Sequence, residues 1–579
     1  MSLPKIITTA WLLSIKALRP KHWKSSAVDD MFGVLSAMFL ESKGAPLDKE
    51  DCEAIEKELL KAAYDLDSKV GDVDAIESRY LTEPVDITDS SSPWFASMRR
   101  PCHPKHTLSQ AHIDAAKIRT EQFNLIKNER RFLAVQEHRL TLPIKADKGR
   151  TRSSYFTARD AAHLASISGA VVIPIGNFDY RPRVYPKLGN SGIQGGPGYR
   201  HIWDSPDYAF DSMVRFLFEE KILSRQFQLT PDKAKELARK SDAELIACHG
   251  EDVWSAIRAY ENSLKTGICN YWAEIDLMGS GPTNVSCAIK DQALFRRISD
   301  ISHDEWMHVR MIWAEHLREN YESLKALDDA CMHKLLKLVL SPLQYGAGVP
   351  GTYHGLTGQK YDEDIEVDWK LFSEVNVILK GLFPTDDPNE FAEELYEFAK
   401  VLHQDFGKCF SKIKGLMDSV TKAYKECLEA GQVPTYTSYS GQVNYGPVVK
   451  RSKTKTHWAE TTVTNRFGKD VPFKAKVSDK VPNAQKVAGC AFSWFFHGVD
   501  SEIITLFTIL AHEQGIMHHT NHDAIFIRLC DWHMAQQLMA HCIITVGAYR
   551  IFEESGWDCV EYAGSVDCHW ETETPEPLV

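Results

Sequence analysis

Apolar residues recur every three or four positions over residues 28–70 and 108–140, with Asp, Ser or Thr at the starts. This spacing predicts helices and a mainly α-helical first 150 residues. The period shifts at "AVVIPIGNFDYRPRVYP" (170–186), which predicts two short strands around a turn, followed by the Gly/Pro-rich loop "SGIQGGPGYR" (191–200). Helical spacing returns over about 206–266. "NYWAEIDLMGSG" (270–281) predicts a strand that stops at glycine, and helical patterns then fill 282–341 and 367–430. Residues 435–477, rich in Tyr, Thr, Val and Gly, predict one extended β-hairpin. Helices are expected at about 484–515 and 531–553. Between them lies "HHTNHDAIFIRL" (518–529), where Ile525, Ile527 and Leu529 alternate with Ala524, Phe526 and Arg528 as in a strand. The acidic, Pro-containing "ETETPEPLV" is expected to be a frayed tail.

With 579 residues, 44% of them hydrophobic, the chain is long enough for several cores. Its formal charge of -12 argues against coating nucleic acid through bulk charge, while leaving room for a local basic channel. Residues 98–152 reverse that balance, with thirteen Lys or Arg against five Asp or Glu, which suits either a phosphate-backbone surface or a solvated helix face. Thirteen scattered cysteines without a CxxC pair suggest neither a disulfide framework nor a thiolate zinc site, so a reducing compartment fits. The apolar stretches at 161–177 and 535–549 are short and interrupted, and no membrane partner is expected. The basic start, "MSLPKIITTAWLLSIKALRPKHWKSS", reads as an ordinary first helix in preference to a mitochondrial presequence, because it holds Pro4 and Pro20 and lacks an Arg/Ser bias.

Several positions could carry chemistry. Asp276 ends a strand where the chain turns at Gly279 and Gly281, and Asp523 begins another. Two carboxylates on rigid strands can hold two magnesium ions for phosphoryl transfer, although a single Asp at a strand end is commonly a turn former. "HKLLKLVLSPLQYGAG" (333–348) puts His333, Lys334 and Lys337 on a helix that ends at Tyr345-Gly346. The eight residues from Lys337 to Tyr345 span about 12 Å, which suits a nucleotide; a surface lysine and a glycine cap explain the same letters. Asp179, Arg181 and Arg183 crowd one turn, ready for phosphates or for a structural salt bridge. His497 in "FFHGVDS" is expected just before a helix. His518, His519, His522 and Asp523 raise the alternative of a metallohydrolase, against which strand geometry sends His518 and His519 to opposite faces.

In order, these segments resemble the bacteriophage-type single-subunit RNA polymerases, a family shared with mitochondrial RNA polymerases. "DYRPRVY" is similar to the family's D-[WY]-R-G-R-x-Y signature, with Pro182 where glycine is usual. "DLMGSGPTNVSCAIKD" resembles the first catalytic segment, with Asp291 closing the helix. "KLVLSPLQYG" resembles the fingers helix, "FFHGVDS" the His-Ser-x-Asp segment, and "HDAIF" the segment with the second metal-binding aspartate. The match spans about residues 150–555.

The resemblance implies a right-hand polymerase, mainly α with an α+β palm. Its parts would be a short helical N-terminal region (1–95), a thumb-like basic helical region (96–168), a palm in two pieces (169–300 and 481–579) and fingers (301–480), with a specificity-type loop at 435–477. It implies DNA-directed RNA synthesis from ribonucleoside triphosphates in the cytoplasm of an infected bacterium, with an accessory protein for promoter opening among the implied partners. By the resemblance, Asp276, Asp523 and the backbone carbonyl of Leu277 would hold two Mg2+ ions. Lys337 would meet the triphosphate, with His333 and Lys334 beside it, and Tyr345, Gly346 and His497 would form the nucleotide site. Arg181, Arg183, Tyr185, Lys450 and Arg451 would contact nucleic acid. The chain departs from the family at His333, where an arginine is usual, at Leu277, usually glycine, and at Ala524, usually serine. A polymerase I-like DNA polymerase and a non-catalytic nucleic-acid-binding relative are the alternatives.

Overall fold

A computed structural model describes residues 81–92, 94–98, 103–141, 167, 169–172, 175–186, 194, 200–276, 280–289, 291–298, 307–358, 375–385, 387–447, 452–464, 470–482, 484–522 and 524–547. The expected helices over 28–70, the tail, most of the loop at 191–200, and Leu277, Lys450, Arg451 and Asp523 lie outside the described residues.

The described chain is mainly helical with small sheets. The helical spacing over 108–140 resolves into α1 (Gln110–Glu121) and a helix over Glu129–Thr141, parted by the short strand Leu125–Lys127. Antiparallel strands β1 (Ile175–Phe178) and β2 (Val184–Pro186) flank the arginine-rich turn. A helical stretch over Asp242–Thr266, broken by a kink at Gly250 (φ 84°), opens with a capping box between Ser241 and Glu244 and ends at Gly267 in the left-handed region. It leads into β3 (Trp272–Asp276) and α2 (Ser280–Ala288). The expected helical run over 282–341 is broken into α2, a short helix over Gln292–Ile298, α3 (Val309–Asn320) and α4 (Asp329–Gln344). Asp291, expected to close α2, also opens the next helix by accepting from the Leu294 amide at 3.1 Å.

Residues 435–477 depart from the single hairpin expected. Strands Thr435–Thr437 and Val443–Tyr445 pair first, because a turn with Gly441 at φ 76° reverses the chain after three residues. A second hairpin follows, β4 (Ser452–Thr464) with β5 (Asp470–Pro482), in register from Ser452↔Pro482 to Thr464↔Asp470.

The central element is α5 (Ala491–Glu513), followed by β6 (His518–Asn521), β7 (Ala524–Arg528) and α6 (Trp532–Gly547). α5 is long and apolar enough to cross a membrane, unlike the shorter stretches at 161–177 and 535–549. It is mostly buried within the protein, as befits a core helix packed between α1 and α6.

Strand order in the main sheet is β6-β7-β3, all antiparallel. Ile525, Ile527 and Ala273 pack into the main core, while Phe526 and Trp272 enter a second core with Trp203 and Trp254. Residues 524–527 are therefore buried on both faces, where alternation alone pointed to one buried face. Ile525 and Ile527 are fully buried, and each contributes about 1.5–3 kcal/mol of apolar burial. That packing makes the strand end at Asp276 a rigid platform.

Candidate functional site

The platform is fixed by register. β6 and β7 are joined by two residues, and His522, the first, has φ 59°, as a tight primed turn requires. β7 pairs with β3 so that Ala524 faces Asp276. Asp523 is bonded to Ala524, so the strand end carrying one aspartate lies across from the residue that follows the other.

A second set of contacts is built where α5 meets the turn between β1 and β2. His497, Asp500 and Ser501 have the i, i+3, i+4 spacing of one helix face. Each meets one residue of the turn: Arg181 Nη1 lies 2.7 Å from His497 Nδ1, Arg183 Nη2 donates to Asp500 Oδ2 at 3.0 Å, and Ser501 donates to the Pro182 carbonyl. His497 thus lies inside α5, within the helix expected over about 484–515 and not just ahead of a helix; the helix runs on from Ala491 because Phe492, Trp494, Phe495 and Phe496 bury its first turns. Asp179 holds the turn from within, accepting from the Arg181 amide at 2.8 Å, from Arg181 Nε at 2.9 Å and from the Tyr185 hydroxyl at 3.2 Å. Burial opposes the charge of Arg181, but Asp179 outweighs it and raises the guanidinium's pKa. Burial, then Asp179, raises that of Tyr185. Arg181 and Arg183 therefore form salt bridges within the protein, the structural alternative for these letters.

Asp500 also accepts from Asn284 Nδ2 of α2 at 2.6 Å, tying the segment after Asp276 to the same helix. Asp500 and Asn284 were not singled out as site residues. The helical spacing of His497, Asp500 and Ser501 is the signal that could have found the first.

α4 enters from another side. Met332, Leu335, Leu336, Val339, Leu340 and Leu343 form its buried face, which turns Lys334 and Lys337 to the exposed one. Tyr345 caps the helix and the chain reverses at Gly346, whose φ of 85° favours glycine. The Tyr345 ring lies 4.5 Å from that of His497. Ser493 Oγ and Arg181 both approach His497 Nδ1, so the ring accepts there and carries its proton on Nε2. At the start of α2, Gly281 packs against Gln344, where an added Cβ would come within 3.1 Å. The edge of Tyr185 meets His522 at 5.4 Å. A continuous chain of contacts thus runs from Tyr345 through His497, Arg181, Asp179 and Tyr185 to the residue preceding Asp523.

Lys337 lies two helical turns from Tyr345 and is exposed, outside that chain of contacts. His333, half-buried, has its pKa lowered by burial, by Arg310 and by Lys337, so it is neutral at pH 7 and does not supply the charge of an arginine.

His518 and His519 serve structure. They sit on opposite faces: His518 Nδ1 lies 3.0 Å from the Ile516 carbonyl and its ring meets Phe507, while His519 bonds Asn124 and its ring meets Trp272. Burial drives their pKa values down to about 4 and about 3. Among the described residues, no three His, Cys, Asp or Glu side chains group as a metal site. No family model and no curated protein matches this chain.

Proposed function

We propose that the protein is a DNA-dependent RNA polymerase, transferring nucleotides from ribonucleoside triphosphates to a growing RNA on a DNA template, with palm elements at β3, β6 and β7 and fingers around α4. The observation that carries this reading is convergence. The five segments that resemble the polymerase family, spread from Asp179 to Ala524, meet around one strand end and one helix. Convergence is independent of the letters that define the motifs, because a chance scatter of short motifs has no reason to fold into mutual contact.

The donor set and register suit magnesium: hard carboxylate oxygens at Asp276, on a strand end paired with the neighbour of Asp523. Asp276, Asp523 and the Leu277 carbonyl would hold the ions, which when bound supply the Lewis acidity that this class of phosphoryl transfer uses. The chain's own groups do the remaining work. Lys337 neutralises charge on the triphosphate and on the departing pyrophosphate. The Tyr345 ring, braced by His497, offers a stacking face for the incoming sugar and base. Arg181, bonded to His497 Nδ1, fixes the imidazole so that its Nε2–H has a defined direction.

The test incubates the full chain with magnesium, a DNA bubble template and labelled ribonucleotides or deoxyribonucleotides, alongside Asp276→Asn and Asp523→Asn. Template-dependent RNA that disappears in both variants supports the proposal. Preference for deoxyribonucleotides, or DNA binding without synthesis, overturns it.

A further inference from the structure

The exposed face of α4 meets a second cation that the sequence patterns did not single out. Arg310, in the first turn of α3, places Nη1 at 2.5 Å from His333 Nε2. Its own backbone amide donates to Nδ1 of His308, the residue capping α3, at 3.0 Å. The His308 and His333 rings meet edge to face at 5.2 Å. Two helices are thereby joined at one corner by a guanidinium and two imidazoles.

The imidazoles bring no charge to this corner. His308 is pushed down to about 4 by burial, Arg310 and His333, and His333 is lowered by burial, Arg310 and Lys337. The His333 ring nitrogen therefore accepts from Arg310, which keeps its charge at any physiological pH. One turn further along α4, about 40° around the axis from His333, is Lys337. Lys334 lies about 100° from His333, on the far side of Lys337. Lys337 is exposed, and among the described residues no carboxylate is ion-paired with it. A planar fork of donors and a point charge, on adjacent helices and joined through a neutral acceptor, suit a ligand with several anionic oxygens in a row more than a single carboxylate.

We propose that Arg310 and Lys337 together bind the polyphosphate of the nucleotide, with His333 as the positioning residue that holds the Arg310 guanidinium. This rests on the polymerase reading for the identity of the ligand but not for the existence of the site. In this chain the second cation would come from α3, and His333 would be the acceptor that holds it.

The probe is inorganic tripolyphosphate, titrated calorimetrically into the full chain without magnesium or template. Arg310→Gln is expected to weaken binding at least tenfold, Lys337→Gln similarly, and Arg310→Lys less. His333→Ala should weaken binding several-fold in the wild-type background and have no further effect beside Arg310→Gln, whereas His333→Gln, which keeps an acceptor, should restore most of the affinity. Thermal melting of each variant reports folding separately. In RNA synthesis, Arg310→Gln should raise KM for ribonucleotides more than it lowers kcat. Wild-type affinity in Arg310→Gln, or no binding by the wild-type chain, overturns the proposal and leaves the polymerase reading standing. Loss of binding in Arg310→Gln by a chain that synthesises no RNA supports the anion site and counts against the polymerase reading.

Discussion

Asp500 tests whether the arginine turn is held by a buried charge. Its carboxylate is 3% exposed and receives Arg183 at 3.0 Å and the fully buried Asn284 at 2.6 Å. Asp500→Ala removes the acceptor from both. A mostly buried guanidinium then loses its counter-charge, and a buried amide loses its partner. Breaking a buried pair from one side costs about 3–5 kcal/mol, and an orphaned amide about 1–3 kcal/mol. The two overlap, so a loss of about 4 kcal/mol is expected. Set against a total folding stability of about 5–15 kcal/mol, this is a large fraction. Asp500→Asn keeps the shape and one acceptor oxygen, and should lose about half as much. Replacing both partners, Asp500→Leu with Arg183→Met, removes the buried charges together and should recover at least about 1 kcal/mol of the summed single losses. Equilibrium urea unfolding followed by tryptophan fluorescence reads wild type, Asp500→Ala, Asp500→Asn, the single variants Asp500→Leu and Arg183→Met, and their double. Strict additivity, or Asp500→Ala within about 1 kcal/mol of wild type, would refute the argument that this pair anchors the turn.

Two further outcomes follow from the same packing. A methyl added at Gly498 would overlap the Tyr436 hydroxyl, which is buried between Trp494 and Phe495; overpacking of about 1–3 kcal/mol should outweigh the gain of up to about 1 kcal/mol in helix propensity. Gly498→Ala should therefore melt lower than wild type and be partly rescued by Tyr436→Phe, and a higher melting temperature would count against this packing. His518 and His519 are held neutral, with folded pKa values of about 4 and about 3 against an ordinary 6.5. Because the unfolded chain takes up these protons more readily, their contribution is complete above about pH 6.5 and is lost as pH falls toward 4 and then 3. Urea midpoints should fall by the equivalent of several kcal/mol over that window, more gently in His518→Leu; equal slopes in the two chains would rule the effect out.

Local patterns were legible where local physics decides them. The strand ending at Asp276, the turn between β1 and β2, and the cap at Tyr345-Gly346 follow from alternation, glycine freedom and helix periodicity. Three features depended on what other parts of the chain supply. β7 is buried on both faces because Trp203 and Trp254 come to one side and the main core to the other. The run at 435–477 splits because the turn that contains Gly441 closes on itself through Ser438 and Gln442. Asp500 looked like any acid on a helix, since its partners lie 317 and 216 residues away.

The pairing between α5 and the arginine turn shows how such distant partners can still leave a trace. A helix presents positions i, i+3 and i+4 on one face, and a tight turn presents successive residues within a few ångströms of each other. His497, Asp500 and Ser501 thus form a ladder of three polar groups, and Arg181, Pro182 and Arg183 form its counterpart of donor, acceptor and donor. Either ladder alone is ambiguous, because a polar helix face usually means solvent and an arginine pair usually means a surface. α5 removes that ambiguity: its neighbouring positions are aromatic or aliphatic and buried, so Asp500 and Ser501, themselves buried, cannot be satisfied by water. A buried helix with a polar i, i+3, i+4 set must find its complement in the chain. The crowded Asp179–Arg183 turn offers both the charges and the carbonyl that this set requires.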